Sequence, residues 1–306
     1  MDVERVTAEH AALLAGLDPL LSAPEPLAAT EDAVLLTATA GGSAAAGTVR
    51  SAEVPADSEL ALWGSLRTHR LLPHLAGPDR AAAFDALLGE WEPLLRERAE
   101  PGDRDSAAMV AVPSRDTAQA LPLVRRGFAP LIVVAARRRP ATPVSAPSHP
   151  AVRVATPADL DALTELAVEL HRLDAAFGVV SERPAEAEVL RAGLAAHPRN
   201  TWIAEDADGP VGFAQVQEPA DAQWVAGMVS GAPPAYFGFL YVRPGRRGEG
   251  LGRALADAAH AVLDARPDVA TTLLHHALPN PWSTPFWARQ GYRPLWTAYQ
   301  RRPAVP

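Results

Sequence analysis

The chain of 306 residues has no cysteine and no lysine. Lacking cysteine, it has no disulfide framework, no thiol nucleophile and no Cys-based metal site. Lacking lysine, it carries every fixed positive side-chain charge on arginine. With abundant Ala and Pro, that absence reads as the codon bias of a GC-rich genome rather than as a functional device. Positive charge is also in the minority. The formal net charge of −8 argues against a nucleic-acid surface. No apolar run approaches the length of a membrane span. The N-terminus places Asp2, Glu4 and Arg5 before its first apolar run, which is no signal peptide. A soluble, cytoplasmic protein is expected. Apolar residues make up 48% of the chain, so it is globular, and its length admits two domains.

The chain is organised around Tyr236 to Arg266, an apolar strand, an Arg/Gly turn and a long amphipathic helix. Gly248, Gly250 and Gly252 fall where turn becomes helix. Glycine there lets a ligand approach the backbone closely, and the first helical turn offers unpaired N–H groups at its positive end. Together they predict an anion cradle, with Arg243, Arg246, Arg247 and Arg253 around it. No GxxxxGK[ST] loop occurs, and the glycine order is not the GxGxxG of dinucleotide-binding folds.

Arg247-Gly-Glu-Gly250-Leu-Gly252, directly after Tyr241-Val242-Arg243-Pro244, resembles the central motif of the GNAT acyl-CoA N-acyltransferases. The order of elements over 151–306 agrees: a strand at 152–155, helices at 157–175 and 185–196, and a hairpin at 201–217. The organising strand and helix follow, then a strand at 269–277, a short helix at 285–290 and a last strand to 300. Residues 1–139 read as strand 3–7, helix 8–21, hairpin 33–54, helix 81–98 with Phe84, Leu87, Leu88, Trp91 and Leu95 on one stripe, strand 107–112, and a short helix and strand to 136. Trp63 and Trp91 read as core. Arg125-Arg-Gly127-Phe-Ala-Pro130-Leu131 matches Arg289-Gln-Gly291-Tyr-Arg-Pro294-Leu295, which points to a duplication. The expected fold is α/β: two tandem GNAT-like domains, each a mixed, mostly antiparallel sheet flanked by helices. Residues 1–139 would be a degenerate copy without the cradle motif, 140–150 a Pro-rich linker, and 151–306 the acetyl-CoA-binding copy.

The resemblance implies the following roles. Leu240, Tyr241 and Val242 would offer main-chain groups to the pantetheine arm and thioester. Arg247, Gly248, Glu249, Gly250, Leu251, Gly252 and Arg253 would hold the pyrophosphate. Asn280 would contact the arm, and Trp287 stands where the family often has a Tyr that protonates the leaving thiolate. Tryptophan cannot usefully give up its proton, so Ser283, Thr284, Tyr292 or water would substitute. As base, the imidazole of His275 suits an ammonium near neutral pH, with Glu218 second. Glu169, His171, Asp174 and Phe177 fall where the family walls its acceptor pocket, and Trp224 and Met228 either cover that pocket or tack down their loop. The expected activity is acetyl transfer from acetyl-CoA, as co-substrate, to a primary amine by direct attack, with a binding module without turnover as the alternative. No metal is expected. The expected partners are acetyl-CoA and an amine acceptor, with no nucleic acid or membrane; a homodimer stays open.

Overall fold

A computed structural model of the chain describes residues 2–141, 149–196 and 200–306. Most of the expected linker, at 142–148, lies outside them. In chain order the helices are α1 (Val3–Leu17), α2 (Arg80–Arg98), α3 (Ala120–Arg125), α4 (Leu160–Ala176), α5 (Glu186–Ala196), α6 (Leu251–Asp264) and α7 (Ser283–Arg289). The strands are β1 (Ala33–Ala40), β2 (Ser43–Glu53), β3 (Arg67–Ala76), β4 (Ser106–Pro113), β5 (Ala129–Arg138), β6 (Val152–Val154), β7 (Thr201–Asp206), β8 (Gly209–Gln217), β9 (Ala235–Val242), β10 (Thr271–Ala277) and β11 (Arg293–Arg301).

The chain folds as two compact units, Met1–Val134 with Pro294–Pro306, and Ala135–Arg293. These units differ from the sequence boundaries in one respect. The last strand, expected in the second domain, belongs to the first unit, and the end of β5 belongs to the second.

In the first unit the strand order is β1-β2-β3-β4-β11. β11 runs antiparallel to β4, from Trp296 opposite Pro113 to Arg301 opposite Ala108. α2 lays Phe84, Leu87, Leu88, Trp91 and Leu95 against Val49, Leu71, Leu75, Val110 and Val112, all buried. Two expectations fail here. Residues 3–7 are the start of a helix, not a strand: the Asp2 carboxylate accepts the Arg5 N–H at 3.0 Å, and Val6, His10 and Leu14 then bury one stripe at i, i+4, i+8. Trp63 is 44% exposed and is not core.

In the second unit the order is β5-β10-β9-β8-β7-β6, with β5 contributing from Ala135 onward. α4 starts with a capping box, in which Thr156 and Asp159 satisfy each other's backbone donors. α6 has the most one-sided apolar face of the unit, burying Leu251, Leu255, Ala256, Ala259 and Leu263.

Candidate active site

β9 is where the second unit departs from a regular sheet. Against β8 its register runs Val216 to Phe237 and then Gln215 to Phe239, so Gly238 is an extra residue, a β-bulge. Against β10 the parallel pairing spans only Ala235 with Thr272 and Tyr236 with Leu273. Beyond Tyr236 the two strands part. The result is a wedge whose one wall is the edge of β9 at Leu240, Tyr241 and Val242 that does not pair with β10.

The α6 N-terminus closes the wide end of that wedge. Gly248 and Gly250 both have φ of +88°, and a Cβ at either would point into open space. Gly250 is the N-cap and offers no side chain to the first-turn amides, which stay available to an anion. Gly252 has a different task. A Cβ there would sit 3.7 Å from the Phe286 ring and from Cγ2 of Val242, so the helix approaches the strand closely. These residues fit a pyrophosphate: an uncapped helix end, positive-φ glycines and unfilled space.

The arginines around the turn are placed differently from the sequence reading. Arg243 forks onto Glu169 at 2.8 Å and also donates to the Pro210 carbonyl at 3.1 Å. Arg246 lies 3.2 Å from both Asp206 and Glu249, so Glu249 is matched within the turn. Arg253 reaches Asp257 at 3.4 Å along its own helix. Arg247 packs over the Tyr241 and Trp282 rings, 5.7 and 5.1 Å from their centroids, and its Nε donates to the Val242 carbonyl at 2.9 Å. Arg247 is thus left, with the α6 amides, as positive charge at the turn that no carboxylate among the described residues takes up.

Asn280 is buried beside this edge; its Oδ1 accepts the Trp282 N–H at 3.1 Å. Ser283 opens α7, with its N–H on the Asn280 carbonyl at 3.3 Å. Trp287 lies in an aromatic cluster, its ring 5.1 Å from Phe237 and 5.2 Å from Tyr292. Tyr292 is buried, and its hydroxyl meets Nε2 of His260 at 3.0 Å. Burial drives the Tyr292 phenol well above its usual range and lowers His260 to about 3.

The base candidates are not brought together. Glu218 is held by Arg266 at 2.6 Å, so its charge is matched. His275 instead joins Tyr236 and Trp224: its Nδ1 lies 3.1 Å from the Tyr236 hydroxyl, and Trp224 stacks on its ring at 5.8 Å. Burial lowers the His275 imidazole to about 4, with His276 adding to the effect, so it is neutral at pH 7. Tyr236 was not singled out from sequence as a site residue. The signal for it was its place in β9 two residues before the bulge. Among the described residues no group of three His, Cys, Asp or Glu could hold a metal.

The acetyltransferase (GNAT) family model matches residues 162–292. A GCN5-related N-acetyltransferase from Sphaerobacter thermophilus superposes with a TM-score of 0.54 at 16% identity, over 86% of this chain and 82% of that one. A tandem GNAT protein from the clavulanic acid biosynthesis pathway covers 100% of this chain and 97% of its own at 18% identity, with a TM-score of 0.46. Residues 162–292 are a GNAT acetyltransferase domain, and the fold is of that type; acyl transfer is the class of chemistry this implies.

Proposed function

We propose that the second unit transfers an acetyl group from acetyl-CoA to a primary amine by direct attack, and that the first unit is a degenerate copy. The observation that carries this reading is the wedge after Tyr236, ending on the uncapped α6 N-terminus. In it the Gly250–Arg253 amides would take the pyrophosphate, and the Leu240–Val242 edge would align the arm. A backbone N–H beside the bulge would then steady the oxyanion as the amine attacks. Acetyl-CoA supplies the activated acyl group; the chain supplies binding, alignment and exclusion of water.

The degenerate reading of the first unit rests on what fills the corresponding places there. At the N-terminus of α2 stands Asp79, whose carboxylate accepts the Ala82 N–H at 3.0 Å. An anion would meet that charge instead of free amides. On β3 the Leu75 N–H is taken by Nδ1 of His10 at 3.3 Å. β2 and β3 pair from Ala44 with Ala76 to Glu53 with Arg67 without a register shift, so there is no bulge.

A second reading, an acyl-CoA-binding module without turnover, is favoured by Trp287, which has no hydroxyl to protonate a thiolate. Thiol release with amines separates the two. The primary test is calorimetry with acetyl-CoA on wild type and on Gly250→Asp/Gly252→Asp. Affinity should fall at least about 100-fold, on the order of 2.7 kcal/mol. No binding to wild type would overturn the proposal.

A further inference from the structure

Beside the bulge of β9 stands a corner of aromatic side chains that the cradle does not use. Its place follows from the strands. Phe237 packs on His260 of α6, with ring centroids 5.5 Å apart, so its neighbour Tyr236 points to the opposite face of β9. The parallel register sets Thr272 opposite Ala235 and Leu273 opposite Tyr236. Carried two residues further, that register brings His275 beside Gly238. The Tyr236 hydroxyl lies 3.1 Å from Nδ1 of His275, so a hydrogen bond spans β9 and β10 where they begin to part.

Trp224, in a 3-10 helical turn (Gln223–Met228) ahead of β9, completes the corner. Its ring meets Tyr236 edge-on at 4.7 Å and stacks on His275 at 5.8 Å with an interplanar angle of 15°. Its Nε1 donates to Oε1 of Gln217 at 3.0 Å. Contacts from β8, β9 and β10 thus hold one side chain, yet Trp224 is 57% exposed. Fixing a large side chain costs rotamer entropy, and the ring surface left in water is apolar area that a ligand can still cover. The corner is also uncharged. Burial lowers the His275 imidazole to about 4, and none of the three rings bonds to a carboxylate among the described residues. Glu218, next to Gln217, is held by Arg266 at 2.6 Å, and Glu169 by Arg243 at 2.8 Å.

Resting on the acyltransferase reading, we propose that this corner selects the acceptor: it takes an amine carried on an aromatic ring, with the ring lying on Trp224 and the nitrogen reaching the bulge. A pyrophosphate on the α6 amides sets the direction of the donor, because Gly252 brings α6 close to Val242. The arm then runs back along β9 from Val242 to Leu240 and ends at Gly238, beside His275. The acceptor nitrogen meets the thioester there, and the corner is the surface just beyond. Tyr236 and Gly238 are two residues apart, about 7 Å along a strand. A short alkyl chain between ring and nitrogen spans that gap. Stacked and edge-on rings offer more to another ring than to a bare alkyl chain. A second ammonium on the acceptor would find no carboxylate bonded at the corner.

The test follows thiol release from acetyl-CoA with 2-phenylethylamine, tyramine, hexylamine and cadaverine as probe acceptors. The two aromatic amines should exceed the two aliphatic ones in kcat/KM by about tenfold, the scale of an aromatic pair. Trp224→Ala should raise KM for 2-phenylethylamine about tenfold and leave kcat within about twofold, because the ring contact is the same in ground and transition states. KM for hexylamine should move much less, and Trp224→Phe should recover part of the loss. Kd for acetyl-CoA should stay within about twofold of wild type. A purely structural role for Trp224 would instead weaken both amines alike. Absence of the aromatic preference, equal losses for hexylamine and 2-phenylethylamine in Trp224→Ala, or an unchanged KM in that variant would overturn the inference. If wild type binds acetyl-CoA but turns over none of the four, saturation-transfer NMR reads binding of 2-phenylethylamine to the CoA-loaded protein. Binding lost in Trp224→Ala supports the site; no binding to wild type, or equal binding to both, overturns it. Failure of wild type to bind acetyl-CoA sinks the acyltransferase reading and this inference with it. Intact acetyl-CoA binding with acceptors indifferent to Trp224 sinks only the inference.

Discussion

Acidification should destabilise the first unit through two stacked histidines. His10 of α1 and His74 of β3 have ring centroids 4.9 Å apart and are 4% and 1% exposed. Nδ1 of His10 accepts the Leu75 N–H, Nδ1 of His74 meets Oγ1 of Thr7 at 3.0 Å, and Nε2 of His74 is buried without a partner. Burial lowers both imidazoles from 6.5 to about 4; Asp116 partly offsets this for His10, and His10 itself adds to it for His74. The folded values lie below the unfolded one, so between them the unfolded chain binds more protons. Stability from the pair is complete above about pH 6.5 and is lost as pH falls toward 4. A shift of about 2.5 units at about 1.36 kcal/mol per unit gives about 3.4 kcal/mol per ring at full protonation. At pH 5 the same linkage gives about 2 kcal/mol per ring, about 4 for the pair, against a typical domain stability of about 5–15 kcal/mol. His69, His260, His275 and His276 are lowered too, so the bulk pH profile is not specific. The decisive comparison is urea unfolding of wild type and His10→Asn/His74→Asn, in which the amide oxygens keep the Nδ1 acceptor positions. The variant should lose about 4 kcal/mol less than wild type between pH 7.5 and 5. Ring-proton NMR should find neither imidazole titrating above about pH 5. Equal pH slopes in the two proteins, or a ring titrating near 6.5, would refute the argument.

Acetyl-CoA should bind with one equivalent per chain by calorimetry, because Asp79 caps α2 whereas α6 is capped by Gly250; two equivalents would contradict the closed first copy. Asp264→Ala should cost about 3–5 kcal/mol in urea unfolding, since it strands Arg137, which now holds that carboxylate through two 2.7 Å bonds inside the second unit. A fragment of residues 1–139 should not unfold cooperatively alone and should gain a transition when a peptide of residues 293–306 is added, because β11 pairs with β4 and Arg301 forks onto Glu92 at 2.7 and 3.1 Å; calorimetric melting of the fragment with and without the peptide decides this.

The sequence was most legible where local chemistry dictates local structure. Gly248 and Gly250 need positive φ, and the long one-sided stripe of α6 can only be a helix against a core, so the turn and the helix it opens were readable from local sequence. The N-terminal strand was misread because Val3, Val6 and Thr7 are β-branched, while one capping carboxylate at Asp2 and burial at helical spacing outweigh that preference. β3 was missed because Arg67, Arg70 and Pro73 interrupt its apolar residues; Pro73 sits opposite Gly47 in a full antiparallel register all the same. Charge was legible but its destination was not. Arg243 and Arg246 look like phosphate ligands in the sequence, yet Glu169 and Asp206, far away along the chain, take them. The corner of Trp224, Tyr236 and His275 likewise joins three segments that no spacing rule connects.

The membership of β11 shows most clearly what pattern alone leaves open. Alternation says that residues 293–301 form a strand but not which neighbour completes its hydrogen bonds. The side chains that decide it are the matched arginines of the duplication. Arg137, near the end of β5, clasps Asp264 of α6 and lies beside Gly291; Arg301, at the end of β11, clasps Glu92 of α2 and lies beside Gly127. Gly127 and Gly291 follow the matched short helices with φ of +80° and +84°. Each unit thus takes from the other half of the sequence a strand that ends in the same arginine clasp. That equivalence supports a duplication more strongly than the sequence match does, because it repeats a geometry rather than a composition. It also separates what the two copies share from what they do not. Both have the clasp, the glycine and the helix beneath the sheet. Both also have parallel strands that lose their pairing, after Leu71 and Val110 in the first unit and after Tyr236 and Leu273 in the second; only the second has the bulge at Gly238 and a helix end free of its own carboxylate. Those differences bear on access to backbone N–H groups, on which the proposed acyl-CoA site would draw. On the proposed reading the two units put equivalent amides to two uses: His10 and Asp79 satisfy them from within in the first, and the second would leave them for a ligand.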